Sequence, residues 1–356
     1  MHRRAGAASL LIFAAACSKK TAPQELPEAA PATIASATGG TGPADAEVAE
    51  AAASDGAPAS AAATDAGPTH CPPDMAYVDT TFCPEIDRRC LDSEHDSVNN
   101  LDICHAFAPG VQHCRVPKRE KRLTVCIDRY EYPNEKGAHP VWMLDWYQAQ
   151  ATCESKGKRL CLANEWTAAC EGPEHTPFPY GWERDHAKCN MDNFYIDPAK
   201  PAPEAQFYFY SPDKGVRLHE LVRLDQSVPS GSMESCKSGF GVYDMPGNMD
   251  EWAVNDGFPR EKSLFAALKG GAWGHVRSQC RPTTYSHDPG FTYYFVSFRC
   301  CRDADDVPPE TRWKQGLDAI PAPKVEPHDF APDPIVATGA PGPNKSKWSR
   351  GHGLRE

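Results

Sequence analysis

The chain has 356 residues, 40% hydrophobic and 24% charged, with 37 Lys and Arg against 48 Asp and Glu. That is enough apolar material for the core of one large domain or two small ones. The formal charge of -11 excludes a nucleic-acid binder, which needs a basic face to meet phosphate. No apolar run approaches the roughly 20 residues of a membrane-spanning helix, which excludes a helical channel or transporter. The 34 prolines and 15 cysteines depart from ordinary usage, and so many cysteines indicate a metal array or an oxidising compartment.

The N-terminus decides between those two. His2-Arg3-Arg4 is a basic start, Ala5 to Ala16 a short apolar stretch, and Cys17 follows Ala14-Ala15-Ala16 directly. This is the order of a secretory signal over residues 1–16. A cysteine immediately after small residues resembles a bacterial lipobox, with Ala14 where Leu is usual; the alternative is an ordinary signal peptide. The lipobox implies diacylglycerol on Cys17 and a protein anchored to the membrane rather than spanning it. Ser18, by analogy with Gram-negative sorting, implies the outer membrane of a bacterial cell envelope. Residues 17–70 are rich in Ala, Pro, Gly, Thr, Ser, Asp and Glu and lack aromatics, so they read as a disordered tether.

Residues 71–124 form a Cys-rich extension packed on the domain that follows. Cys71, Cys83, Cys90, Cys104 and Cys114, with Cys126, allow fifteen pairings, which stay open. The fourteen cysteines after Cys17 are an even number in an exported chain and favour a fully paired framework. No C-x-x-C pair of the kind structural zinc sites carry is present. Alternation at 125–132 predicts a strand ended by Pro133-Asn134. Asp145 is the N-cap of a helix through Ser155 that Gly157 closes, and a second helix starts near Ala163-Asn164 and ends at Gly172. Cys189 and Cys236 flank a long central loop and pair across it. Residues 303–356 are Pro-rich and read as a second disordered tail, in which Trp313 packs on the domain while Phe330 and Trp348 stay loose. The aromatic runs Phe207 to Tyr210 and Phe291 to Phe295 suit core or loop packing, with a groove lining as the alternative. Gly-x-Ser-x-Gly, His-Glu-x-x-His and Walker-type loops are all absent.

Six motifs occur in order. They are Asp128-Arg-Tyr-Glu-Tyr-Pro-Asn134, Pro140-Val-Trp to Cys153, Lys158-Arg-Leu to Trp166, Phe240-Gly-Val-Tyr-Asp-Met-Pro-Gly-Asn-Met-Asp-Glu-Trp252, Leu268-Lys-Gly-Gly-Ala-Trp273 and Phe298-Arg-Cys300. This set resembles the sulfatase-modifying-factor, or formylglycine-generating-enzyme, family over 125–302. The resemblance implies an α+β fold of C-type-lectin type, loop-rich and disulfide-stapled. Enzymes of that family oxidise a substrate cysteine with oxygen and a copper ion held by two thiolates, soft ligands that suit Cu(I).

The copper window reads Gly270-Gly-Ala-Trp-Gly-His275-Val-Arg-Ser-Gln-Cys280. Aligned from Gly270-Gly271, His275 and Cys280 fall on the copper cysteines. Counted back from Cys300, Cys280 falls instead on a structural cysteine. The resemblance then pairs Cys170 with Cys280 and Cys153 with Cys300, and leaves both copper cysteines absent. The even cysteine count favours this second alignment. Cys161 and Cys301 make a further pair.

The resemblance also implies calcium, through Asn248 and Glu251 with nearby carbonyls at one site and Asn190 with Asp225 at another. The alternative at the first is a left-handed turn at Asn248 with Glu251 in a salt bridge. Two functions follow. The first is an exported, lipid-anchored binding or scaffold module for an exported protein, peptide or glycan, without catalysis. The second is a copper-dependent oxidase using His275 and Cys280.

Overall fold

The computed structural model describes residues 70–308, apart from 98–99, 195, 197, 199–213, 257–264 and 276. Cys17, the signal segment, residues 18–69, Phe207 to Tyr210, Trp313, Phe330 and Trp348 lie outside the described residues. In chain order the strands are β1 (Met75–Phe82), β2 (Ile86–Asp96), β3 (Leu101–Cys114), β4 (Lys121–Asp128), β5 (Arg159–Leu160), β6 (Asp250–Val254), β7 (Ala266–Lys269), β8 (Thr283–Thr284), β9 (Val296–Phe298) and β10 (Cys300–Arg302). The helices are α1 (Trp146–Ser155), α2 (Ala163–Glu171) and α3 (Lys214–Leu224).

Two four-stranded sheets enclose the core, in the orders β1-β4-β10-β5 and β8-β7-β6-β9, and β2 with β3 forms a separate ribbon. Only β6 and β9 run parallel; the other pairs named in both sheets are antiparallel. Val125, Cys126 and Ile127 in β4 are all buried, because this strand is covered by β1 and β10 on its edges and by helix α2 on one face. The expected boundary at 125 falls inside β4. Strand β1 of the extension is the edge of the same sheet, so extension and domain share one core.

Both central helices start with a carboxylate, for different reasons. In α1 the Asp145 side chain accepts from Gln148 N at 2.7 Å, and Gln148 Oε1 accepts from Asp145 N at 3.0 Å, a reciprocal cap. The chain leaves α1 through Gly157 at φ +67°, where a Cβ is disfavoured. The N-cap of α2 is Leu162, whose side chain has no polar group to offer. Its first-turn amide at Asn164 donates instead to Asp256 Oδ1 at 3.0 Å, ninety-two residues away.

The structure contains seven disulfides. In the domain they are Cys153–Cys300, Cys161–Cys301, Cys170–Cys280 and Cys189–Cys236. In the extension they are Cys71–Cys126, Cys83–Cys114 and Cys90–Cys104. Adjacent Cys300 and Cys301 reach different partners because successive strand residues face opposite sides. Cys300 packs in the cluster around Trp252 and Phe298, and Cys301 in the one around Trp166 and Ile127. The three longest bridges span 147, 140 and 110 residues. In the chain-entropy model each removes about 4–5 kcal/mol of unfolded-state freedom.

The extension is also held by charge. Glu171, buried at the end of α2, accepts from Arg88 Nη2 of β2 at 2.6 Å and from Arg281 Nε at 2.6 Å and Nη2 at 2.9 Å. Burial opposes its charge, but the two guanidinium groups prevail and hold its carboxyl below the usual glutamate value. A lowered carboxyl contributes stability that is full above its unfolded value and is lost as pH falls through the lower folded one. Glu171→Gln should therefore cost about 3–5 kcal/mol in urea unfolding at pH 7, because it strands buried cations. The deficit should shrink on acidification. A deficit of the same size at pH 7 and below pH 4 would contradict this reading.

Candidate functional site

The two sheets meet at Arg299, which sits between β9 and β10 with no exposed surface. Its Nε and Nη2 donate to Glu251 Oε2 and Oε1, both at 2.7 Å, and Nη2 donates again to the Tyr243 carbonyl at 3.0 Å. Glu251 Oε2 also accepts from Trp166 Nε1 of α2 at 2.8 Å. Two further carboxylates lie in this interior. Glu131 accepts from Asn248 Nδ2 at 2.7 Å and Met249 N at 3.1 Å, and Asp244 accepts from Gly231 N at 2.6 Å. Burial, with repulsion from Asp244 and Glu251, pushes Glu131 well above the ordinary carboxylate range, and burial, with repulsion from Glu251, pushes Asp244 up to about 7.

The turn before β6 is fixed by backbone. Gly247 is at φ +83°, and a Cβ there would collide with the Asn190 carbonyl. Asn248 follows at φ +50°. Its Oδ1 accepts from Asn190 Nδ2 at 3.0 Å and Val228 N at 2.8 Å. The side chains of Asn248 and Glu251, expected at a calcium site with nearby carbonyls, are bonded within the protein. Glu251 is neutralised by Arg299, and both lone-pair directions of Asn248 Oδ1 are in use.

The second expected pair is differently placed. Asn190 Nδ2 donates to the Gln226 carbonyl at 2.9 Å, which brings Asn190 against the Asp225–Gln226 segment. Asp225 Oδ1 accepts from Ser227 N at 2.8 Å, while Asp225 Oδ2 and Gln226 Oε1 are buried with no hydrogen-bond partner. Burial raises the Asp225 carboxyl above its ordinary value. Asp225 Oδ2 and Gln226 Oε1 are oxygens of the hard kind that calcium prefers, whereas Asn190 Oδ1 already accepts from Asn193 Nδ2 at 2.9 Å and has one lone pair left for such an ion.

Copper fails the same test. Cys280 is bonded to Cys170, and all fourteen cysteines among the described residues are in disulfides, so the reading that gave Cys280 and His275 to copper lacks its thiolate. His275 is also committed: its Nδ1 accepts from Ala272 N at 3.1 Å, its ring meets Phe295 edge-on, and Asp250 Oδ2 lies 3.5 Å away. A nitrogen that accepts an amide hydrogen cannot donate to that carboxylate, so the bond to Ala272 governs. Asp250 pairs instead with Arg277. The run Phe291 to Phe295 packs on itself and on Trp273, and Phe291 stacks on His287 at 4.2 Å.

Lys269 was not singled out from sequence. It is 1% exposed, and its Nζ donates to the carbonyls of Cys280, Arg281 and Pro282 at 3.0, 3.0 and 3.1 Å. Burial pushes its ammonium down to about 7. The signal was a lysine between Leu268 and Gly270 in an otherwise apolar strand, where an ordinary surface lysine has no place. Lys269→Met should remove the donor to these three carbonyls, the buried Cys280 one among them, and destabilise the domain by about 1–3 kcal/mol. Thermal melting would check this, and an unchanged midpoint would refute it.

These observations define a disulfide-locked α+β domain whose two sheets meet at the buried Arg299. The sequence matches the sulfatase-modifying factor enzyme 1-like domain over residues 105–304, more than half of the chain. The chain belongs to that family, and its fold is the family's C-type-lectin-like fold. It is 25% identical over 183 residues to the inactive C-alpha-formylglycine-generating enzyme 2 of Bos taurus, covering 49% of this chain and 54% of that one. It is 26% identical over 233 residues to the serine/threonine-protein kinase Pkn1 of Chlamydia trachomatis serovar L2, covering 60% of this chain and 30% of that one. The chain thus spans about a third to a half of the length of these relatives. Among solved structures, PvdO from Pseudomonas aeruginosa matches at 16% identity and a TM-score of 0.38, covering 66% of this chain and 97% of that one.

Proposed function

We propose that this protein is a non-catalytic member of the family, an exported binding module whose rigid surface recognises a partner in the cell envelope. The observation that carries this reading is the Cys170–Cys280 disulfide, which takes up the sulfur that copper chemistry would need. Similarity to a relative described as inactive supports it. Seven bridges suit an oxidising compartment, and lipidation at Cys17 would hold the domain at the outer membrane on its tether.

Thiol labelling tests the reading. Native protein whose Cys17 is acylated or replaced should show no reactive thiol, and reduction in denaturant should expose fourteen, the seven bridges opened. Cys280→Ser should free Cys170 and cost about 2–5 kcal/mol. A native Cys280 thiol, with a Cys280→Ser variant of unchanged stability, would favour the oxidase instead.

The same reading gives Asn190, Asp225 and Gln226 a structural calcium ion. Metal that binds only the folded state stabilises it by mass action, by about 2.7 kcal/mol at a hundredfold excess over Kd. Chelation should lower the melting temperature of the wild type, and Asp225→Asn should remove the difference. Identical melting curves with and without chelator would remove calcium from the account.

A further inference from the structure

A cavity of about 460 Å³ opens where the Cys-rich extension meets the domain. It borders the His275–Cys280 window at Arg281 without including His275 or Cys280 in its lining, which comes from the first turns of α2, Asp256 after β6, strand β8 and its preceding Arg281, and the residues at the end of β1 and before β4. We infer that this cavity is a binding site for a neutral polyhydroxylated ligand of mono- or disaccharide size. The inference names the ligand of the binding module proposed above and rests on that reading.

Asp256 is the centre of the site. Its carboxylate oxygens accept from the Asn164 amide at 3.0 Å and Asn164 Nδ2 at 2.9 Å, so it is oriented by a single residue of α2. Each carboxylate oxygen can accept more than one hydrogen bond, so both retain capacity for ligand donors. Burial raises its carboxyl above the ordinary aspartate value, as expected where water solvates it poorly. The neighbouring hydroxyls also present lone pairs. Thr167 Oγ1 spends its proton on the Ala163 carbonyl, and Thr283 Oγ1 donates to the Arg281 carbonyl while accepting from Lys269. A wall of acceptors selects a ligand with several donors.

Charge decides between an amine and a polyol. The charged lining residues are Glu85 and Asp256 against Arg119 and Arg281, two of each sign. Glu85 pairs with Arg119 at 2.8 Å at the rim, and Arg281 is held by the buried Glu171. A balanced lining gives a cation no net attraction, whereas a hydroxylated ring meets acceptors at Asp256 and donors at the Arg119 rim. Tyr285 and Pro84 supply apolar surface for the C–H face of such a ring. Rigidity is built in, because Cys83–Cys114 anchors one wall and Cys170–Cys280 the other.

The test uses the full oxidised chain on a printed array of mono- to tetrasaccharides, followed by calorimetric titration with the free saccharide that binds. The expected result is saturable binding that survives chelator and weakens about tenfold or more in Asp256→Asn, the loss expected for a hydrogen bond to a charged group. Because Asp256 also caps α2, Tyr285→Ala provides a second variant, expected to fold and to bind more weakly. The inference is overturned if no saccharide saturates the protein, if both variants bind like the wild type, or if a lysine-rich peptide displaces the saccharide. None of those outcomes alters the thiol count, so this site can fail while the non-catalytic reading stands.

Discussion

A sulfur atom serves in a disulfide or as a metal thiolate, and Cys280 is bonded to Cys170. That bond ties the end of α2 to the segment after β7, and Lys269 then pins the next three carbonyls. The loop that carries His275 is consequently held from both sides, with its imidazole accepting a backbone amide. In this domain Cys280 is therefore a structural cysteine, as the alignment counted back from Cys300 places it.

The interior depends on electrostatics as much as on apolar packing. Arg299 meets Glu251, the indole of Trp166 donates to that same carboxylate, and Glu131 and Asp244 stay close by with their protons held more tightly than usual. A buried ion pair adds little net stability over apolar residues, because desolvation offsets attraction. The fork of the Arg299 guanidinium, between β9 and β10, bonds Glu251 of β6 and the Tyr243 carbonyl together. The disulfides then supply the stability that a loop-rich chain lacks.

The sequence carried its covalent and cap chemistry openly. Asp145 and Gly157 marked the ends of α1 because capping is local, and the motif Phe298-Arg-Cys300 located the strand whose cysteines reach α1 and the segment between β5 and α2. Long-range polar pairing was not legible. Asp256 caps α2 from ninety-two residues away, and Glu251 spends its charge on Arg299 rather than on an ion, because no local pattern reports which side chains meet across a core. Likewise the domain boundary expected at 125 cuts a strand, since β1 pairs with β4 only in three dimensions. The cavity between extension and domain is a product of that pairing and had no sequence signature.

The central claim is that this domain holds no copper thiolate, and competition for Cu(I) tests it most directly. Purified oxidised protein with Cys17 replaced would be titrated against a chromophoric Cu(I) chelator under anaerobic conditions. The account predicts that the chelator keeps all of the metal. Withdrawal of one equivalent of Cu(I) by the native protein, lost in His275→Ala, would contradict it.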